Sequence, residues 1–123
     1  LEPFSPHENL ADEVNQAIAE GELHGGVDLR DLAVGRKLHI YFRTGYYVLE
    51  HHEDGFYMSE YLFNGKLGFW SESVKCKVTG SLFHPEGSML KMHWVGRGMF
   101  LEFHLNDGPR LHSRLEILEI EES

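Results

Sequence analysis

From Arg36 onward apolar residues recur at every second position, and turn residues interrupt them about every eight to twelve residues. A period of two belongs to strands with one covered face, and short turns between neighbours make successive strands antiparallel. The turns are Thr44-Gly45, Asp54-Gly55, Asn64-Gly65, Pro85-Glu86-Gly87, Gly96-Arg97 and Asn106-Asp107-Gly108. Asp-Gly and Asn-Gly suit tight hairpins because their central residues accept positive φ. Seven or eight strands are expected, near 37–43, 46–52, 56–63, 66–70, 74–83, 89–95, 98–105 and 110–120.

Ahead of these strands Ser5 is placed as an N-cap, Pro6 as the first helical residue and Glu8 as the partner in a capping box. Leu10, Val14, Ala17 and Ile18 follow at helical spacing and Gly21 ends the run, which predicts a helix over 6–20 with one apolar face. Gly25-Gly26 reads as a hinge, and a helical turn is expected after Asp28, ended by Gly35. The expected class is α+β: an N-terminal helix packed on a strongly curved, cone-like antiparallel meander. A length of 123 residues matches one domain over 1–123, with 1–35 helical and 36–123 the meander.

Composition narrows the function classes. Hydrophobic residues make up 41% and charged residues 25%, ordinary for a globular chain, and no apolar run is long enough to span a bilayer. A soluble protein with no membrane partner is expected. The single cysteine, Cys76, cannot form an intrachain disulfide, which favours a reducing compartment and the cytoplasm; the start at Leu1 leaves a removed leader open. The net charge of -9 is concentrated at the ends, with eight acids and one base in residues 1–35 and four acids in 116–123. Bases in the middle are scattered, so nucleic acid is not an expected partner.

Two-residue loops fix register, and register decides which residues share a face. One face collects Leu38, Ile40, Phe42, Tyr47, Leu49, Met58, Leu62, Leu67 and Phe69, with His51 and Glu60 as its polar members. This is the expected core face, and Glu60, predicted beside Leu49 and Phe69, is a candidate acid or base. The opposite face mixes rings with polar groups: His39, Tyr41, Arg43, Tyr46, Glu50, Tyr57, Ser59, Tyr61, Phe63 and Trp70. In this register His39 lies directly opposite Glu50. In the second half Leu90, Met92 and Trp94 are expected to pair with Phe103, Leu101 and Met99, and Phe103 with Leu111, leaving Lys91, Glu102 and His112 on a solvated row.

Catalytic signatures are few. Nine histidines raise the question of a metal, but His51 and His52 are adjacent on a strand and point to opposite faces, so no metal site is expected. Cys76 sits at apolar strand spacing, and Gly96-Arg97-Gly98 lacks the following helix of a phosphate loop. No cofactor is expected. So much exposed aromatic surface calls for a cover. The reading that follows is a non-enzymatic, homodimeric module that binds a small ligand or a protein through Tyr41, Arg43, Tyr57, Ser59, Tyr61 and Trp70. The alternative is a small cavity enzyme in which His39 and Glu50 form an acid–base pair.

Overall fold

The computed structural model describes residues 25–64, 72–87 and 89–123, and in them the period of two becomes strands. These are β1 (Gly26–Asp28), β2 (Lys37–Tyr41), β3 (Gly45–His52), β4 (Gly55–Leu62), β5 (Val74–Leu82), β6 (Leu90–Met92), β7 (Trp94–Gly96), β8 (Phe100–Leu105), β9 (Arg110–His112) and β10 (Glu119–Glu122). Leu38, Ile40, Tyr47 and Leu49 are buried, while His39, Tyr41, Tyr46 and Val48 between them are half-buried on the other face.

The main sheet runs in the order β10-β2-β3-β4-β5-β8-β9, with β6 beside β5. Its two ends are joined by one stretch of chain, residues 113–118. There Ser113 N–H donates to the Leu101 carbonyl (2.8 Å), Ile117 N–H to Met99 (2.8 Å) and Gly98 N–H to Ile117 (2.7 Å). Leu118 N–H then donates to the Tyr41 carbonyl at 2.8 Å, and β10 pairs with β2. The sheet therefore closes on itself as a barrel, which leaves no free edge at this seam.

Closure corrects the expected α+β class. The described residues contain no α-helix and are almost entirely antiparallel sheet. The helix predicted over 6–20 lies outside the described residues, as does the strand predicted over 66–70. The inner face is covered by the barrel's own far wall: Tyr47 of β3 meets Phe103 of β8 edge-on, with ring centroids 5.7 Å apart. Among the described residues no helix is long and apolar enough to cross a membrane.

A short plug fills one end. Asp28 caps a 3-10 turn, Leu29–Asp31, by accepting from Arg30 N–H at 2.9 Å, and Leu29 and Leu32 drop into the core. This is the helical turn expected after Asp28, shortened to three residues. β1 pairs with β7, which brings Val95 into the same cluster, and the buried Ser81 hydroxyl donates to the Trp94 carbonyl at 2.6 Å. His51 Nδ1 donates to the Leu32 carbonyl at 2.6 Å, so the plug sits at the His51 end of β3.

Register differs from expectation in an instructive way. Tyr41 pairs with Tyr46 and His52 with Gly55, so both hairpins are displaced by two residues from the predicted pairing. A displacement of two preserves faces, so the predicted core face survives. In the second half the topology itself changes. His93 takes φ 61°, a left-handed conformation that breaks the predicted 89–95 strand into β6 and β7. β6 pairs with β5 and β7 leaves to pair with β1, so β5 and not β6 is the neighbour of β8. Phe103 does pair with Leu111. Glu102, expected on a solvated row, is 4% exposed beside a bulge between Val78 and Gly80. There its carboxylate accepts from Thr79 Oγ1 at 3.0 Å and pairs with Arg110 at 3.0 Å.

Candidate functional site

Two features of the barrel merit chemical attention, one outside and one inside. On the outside, the predicted aromatic face exists as a ladder across β2, β3 and β4. Tyr46 is its centre, stacked on Tyr61 (5.2 Å, 19°) and tilted against Tyr41 (5.5 Å), Phe63 (5.9 Å) and the His39 ring (6.2 Å). The rings cover one another, and only Phe63, 57% exposed, is left largely in water.

The remaining predicted site residues are dispersed. Tyr41 Oη donates to Glu121 at 3.4 Å, and partial burial, followed by the Glu121 charge, raises its hydroxyl above the ordinary tyrosine range. Tyr57 Oη donates to Asp54 at 2.8 Å, and that bond raises the Tyr57 hydroxyl likewise. Ser59 is buried opposite Val48, Arg43 is exposed in the β2–β3 turn, and Trp70 lies outside the described residues.

His39 and Glu50 are not opposed. His39 pairs with Val48 and Glu121, whereas Glu50 pairs with Lys37 and Tyr57. The Glu50 carboxylate accepts from Ser73 Oγ at 2.8 Å, with Lys37 Nζ at 3.5 Å and His52 Nε2 at 3.8 Å, and the Ser73 bond above all holds it below the usual carboxylate range. The two-residue displacement of the first hairpin separates the pair, so the proposed dyad does not form.

At the end of β3 away from the plug the barrel opens into a cavity of about 700 Å³, with the exposed Arg114 among its lining residues. Phe42, Tyr47, Phe103, Leu105 and Leu111 supply apolar walls, and Glu60 and Arg114 bring opposite charges to them. Burial raises the Tyr47 hydroxyl far above its usual range; the Glu60 charge pushes the same way and Arg114 opposes it, so both charges act on one hydroxyl.

Local structure explains how Arg114 arrives there. Buried Ser113 accepts from Leu101 N–H at 3.0 Å through its hydroxyl and donates to the Leu115 carbonyl at 3.0 Å, which pins the chain on either side of Arg114 to the wall. Glu60 does point to the inner face, as predicted, but its cross-strand neighbour is Tyr47 rather than Leu49. Sequence reasoning missed Tyr47 and Arg114 as site residues. The one available signal was Glu60, a charge on an otherwise apolar face.

This arrangement can hold an apolar body and orient a polar group. Burial pushes the Cys76 thiol up to about 12, so it stays protonated and unreactive at neutral pH. Among the described residues no cluster of three or more His, Cys, Asp or Glu could hold a metal ion. No family model matches the chain, and neither the curated proteins nor the solved structures contain a match to it.

Proposed function

We propose that this protein is a non-enzymatic binding module whose barrel cavity takes up one small, largely apolar molecule. The cavity itself carries the reading: about 700 Å³, walled by Phe42, Phe103, Leu105 and Leu111, with Tyr47, Glu60, His112 and Arg114 among its polar groups. That volume lies in the range of roughly 300–1,000 Å³ of small-molecule sites, which combine apolar walls with a few polar groups that set orientation. Titration with a neutral, largely apolar fluorescent amine, N-phenyl-1-naphthylamine, tests it. Saturable one-to-one binding is expected, weakened in Leu111→Trp, whose larger indole narrows the space while the far-UV spectrum is retained. Absence of saturable binding would remove the cavity as the site.

A second reading rests on the outer ladder, where the 57% exposed Phe63 ring ends a row of packed aromatics. An exposed ring continuous with other aromatic surface favours a self-association face. Sedimentation should then show a dimer for the parent and a monomer for Phe63→Asp. A monomeric parent excludes this reading.

A further inference from the structure

We propose that the molecule held in the cavity is an anionic amphiphile, a hydrocarbon body ending in one carboxylate, and that Arg114 receives the acid group. The inference rests on the cavity being a binding site, and it adds the chemistry of the head group. The protein carries a net charge of -9, so a carboxylate meets repulsion on average and needs a local cation to be retained.

The arginines show where such a cation is uncommitted. Four of the six bind carboxylates: Arg30 with Asp28 (2.6 Å), Arg36 with Glu122 (2.9 Å), Arg97 with Glu119 (2.6 Å) and Arg110 with Glu102 (3.0 Å). Arg43 and Arg114 have no carboxylate partner among the described residues. Both belong to the cavity end of the barrel. Arg114 lines the cavity, and Arg43 sits between Phe42 and Thr44, which line it too. A guanidinium presents paired N–H donors that match the two oxygens of a carboxylate.

Glu60 lines the same cavity and has interactions of its own. It still acts on the same Tyr47 hydroxyl as Arg114, from the repelling side for an acid. The head group therefore belongs next to Arg114, and Glu60 weakens its binding. The apolar walls of Phe103, Leu105 and Leu111 receive the hydrocarbon body.

Calorimetric titration with laurate and dodecyltrimethylammonium below their micelle concentrations, and with dodecanol below its solubility limit, separates charge from hydrocarbon. The parent should bind laurate about tenfold or more tightly than dodecanol, as expected of a charge-assisted pair. Arg114→Gln should remove most of that advantage and leave dodecanol within about twofold, which also shows that the variant is folded. Glu60→Gln should tighten laurate, and added salt should weaken laurate but not dodecanol. Equal binding of laurate and dodecanol overturns the head-group inference and leaves the cavity reading standing. Tighter binding of the ammonium than of laurate overturns it as well. If none of the three binds, the cavity reading falls with it.

Discussion

At Gly45 the backbone of β3 runs so close to β4 that a Cβ would collide with the Tyr61 carbonyl oxygen, whereas at Gly35, with φ +92°, a Cβ would meet nothing within 4 Å. Two glycines are thus required for different reasons, one for space and one for backbone conformation. Gly35→Ala should lose about 1–2 kcal/mol, the ordinary penalty for a left-handed L-residue. Gly45→Ala should lose more, about 3 kcal/mol or above, because backbone on both strands must shift. Urea denaturation of the two variants ranks them. Asp28 has a pH signature. Its carboxyl is held down to about 2 from 3.8, first by the Arg30 side-chain bond. A depressed folded pKa adds stability that is complete above pH 3.8 and lost as pH falls toward about 2. Asp28→Asn keeps a capping side chain but no charge. The thermal midpoint of the parent should exceed that of Asp28→Asn at pH 7, and the difference should shrink through this window.

At the scale of elements, the seam between β8 and β10 is the least regular part of the barrel and the part on which closure depends. Ile117 is fully buried there and is bonded to Met99 and Gly98 through both backbone groups. Ile117→Ala should destabilise by about 2–5 kcal/mol. Amide exchange at Ile117 and Leu118 should be as slow as in β3, although both residues lie outside the strands proper. Exchange at the rate of an open loop would mean that the barrel is not closed in solution. The seam also marks where sequence stops being informative. Alternation of Leu38, Ile40, Tyr47, Leu49 and Met58 revealed the core face because a two-residue displacement leaves it unchanged. The same displacement was fatal to the His39 and Glu50 pairing, which depended on absolute register. Closure was not legible, because Leu118 and Tyr41 are brought together by barrel curvature and not by any local turn. His93 is only a weak residue signal for positive φ, so the departure of β7 toward β1 was equally hidden.

Across the whole molecule the barrel is asymmetric, plugged at the His51 end of β3 by Leu29 and Leu32 and hollow at the other, where the walls carry Tyr47, Glu60 and Arg114. Occupation of the hollow end should stabilise the fold by mass action, by about 2.7 kcal/mol at a free ligand concentration 100-fold above Kd. A melting midpoint that does not move under saturating laurate would mean that the native state gains nothing from it. Much of the polar architecture pairs residues distant in the chain, as where Arg36 meets Glu122 at 2.9 Å and Lys37 and Ser123 exchange backbone bonds at 2.9 Å. This arrangement governs the order of events during synthesis. β2 is made before most strands of the barrel, yet its outer edge waits for a partner that is made some eighty residues later. Until then it is an exposed, ring-bearing strand edge able to pair with another nascent chain. The hydrogen bonds that complete the barrel are therefore the last that can form, and premature termination upstream of Glu119 would yield a sticky open sheet rather than a smaller barrel.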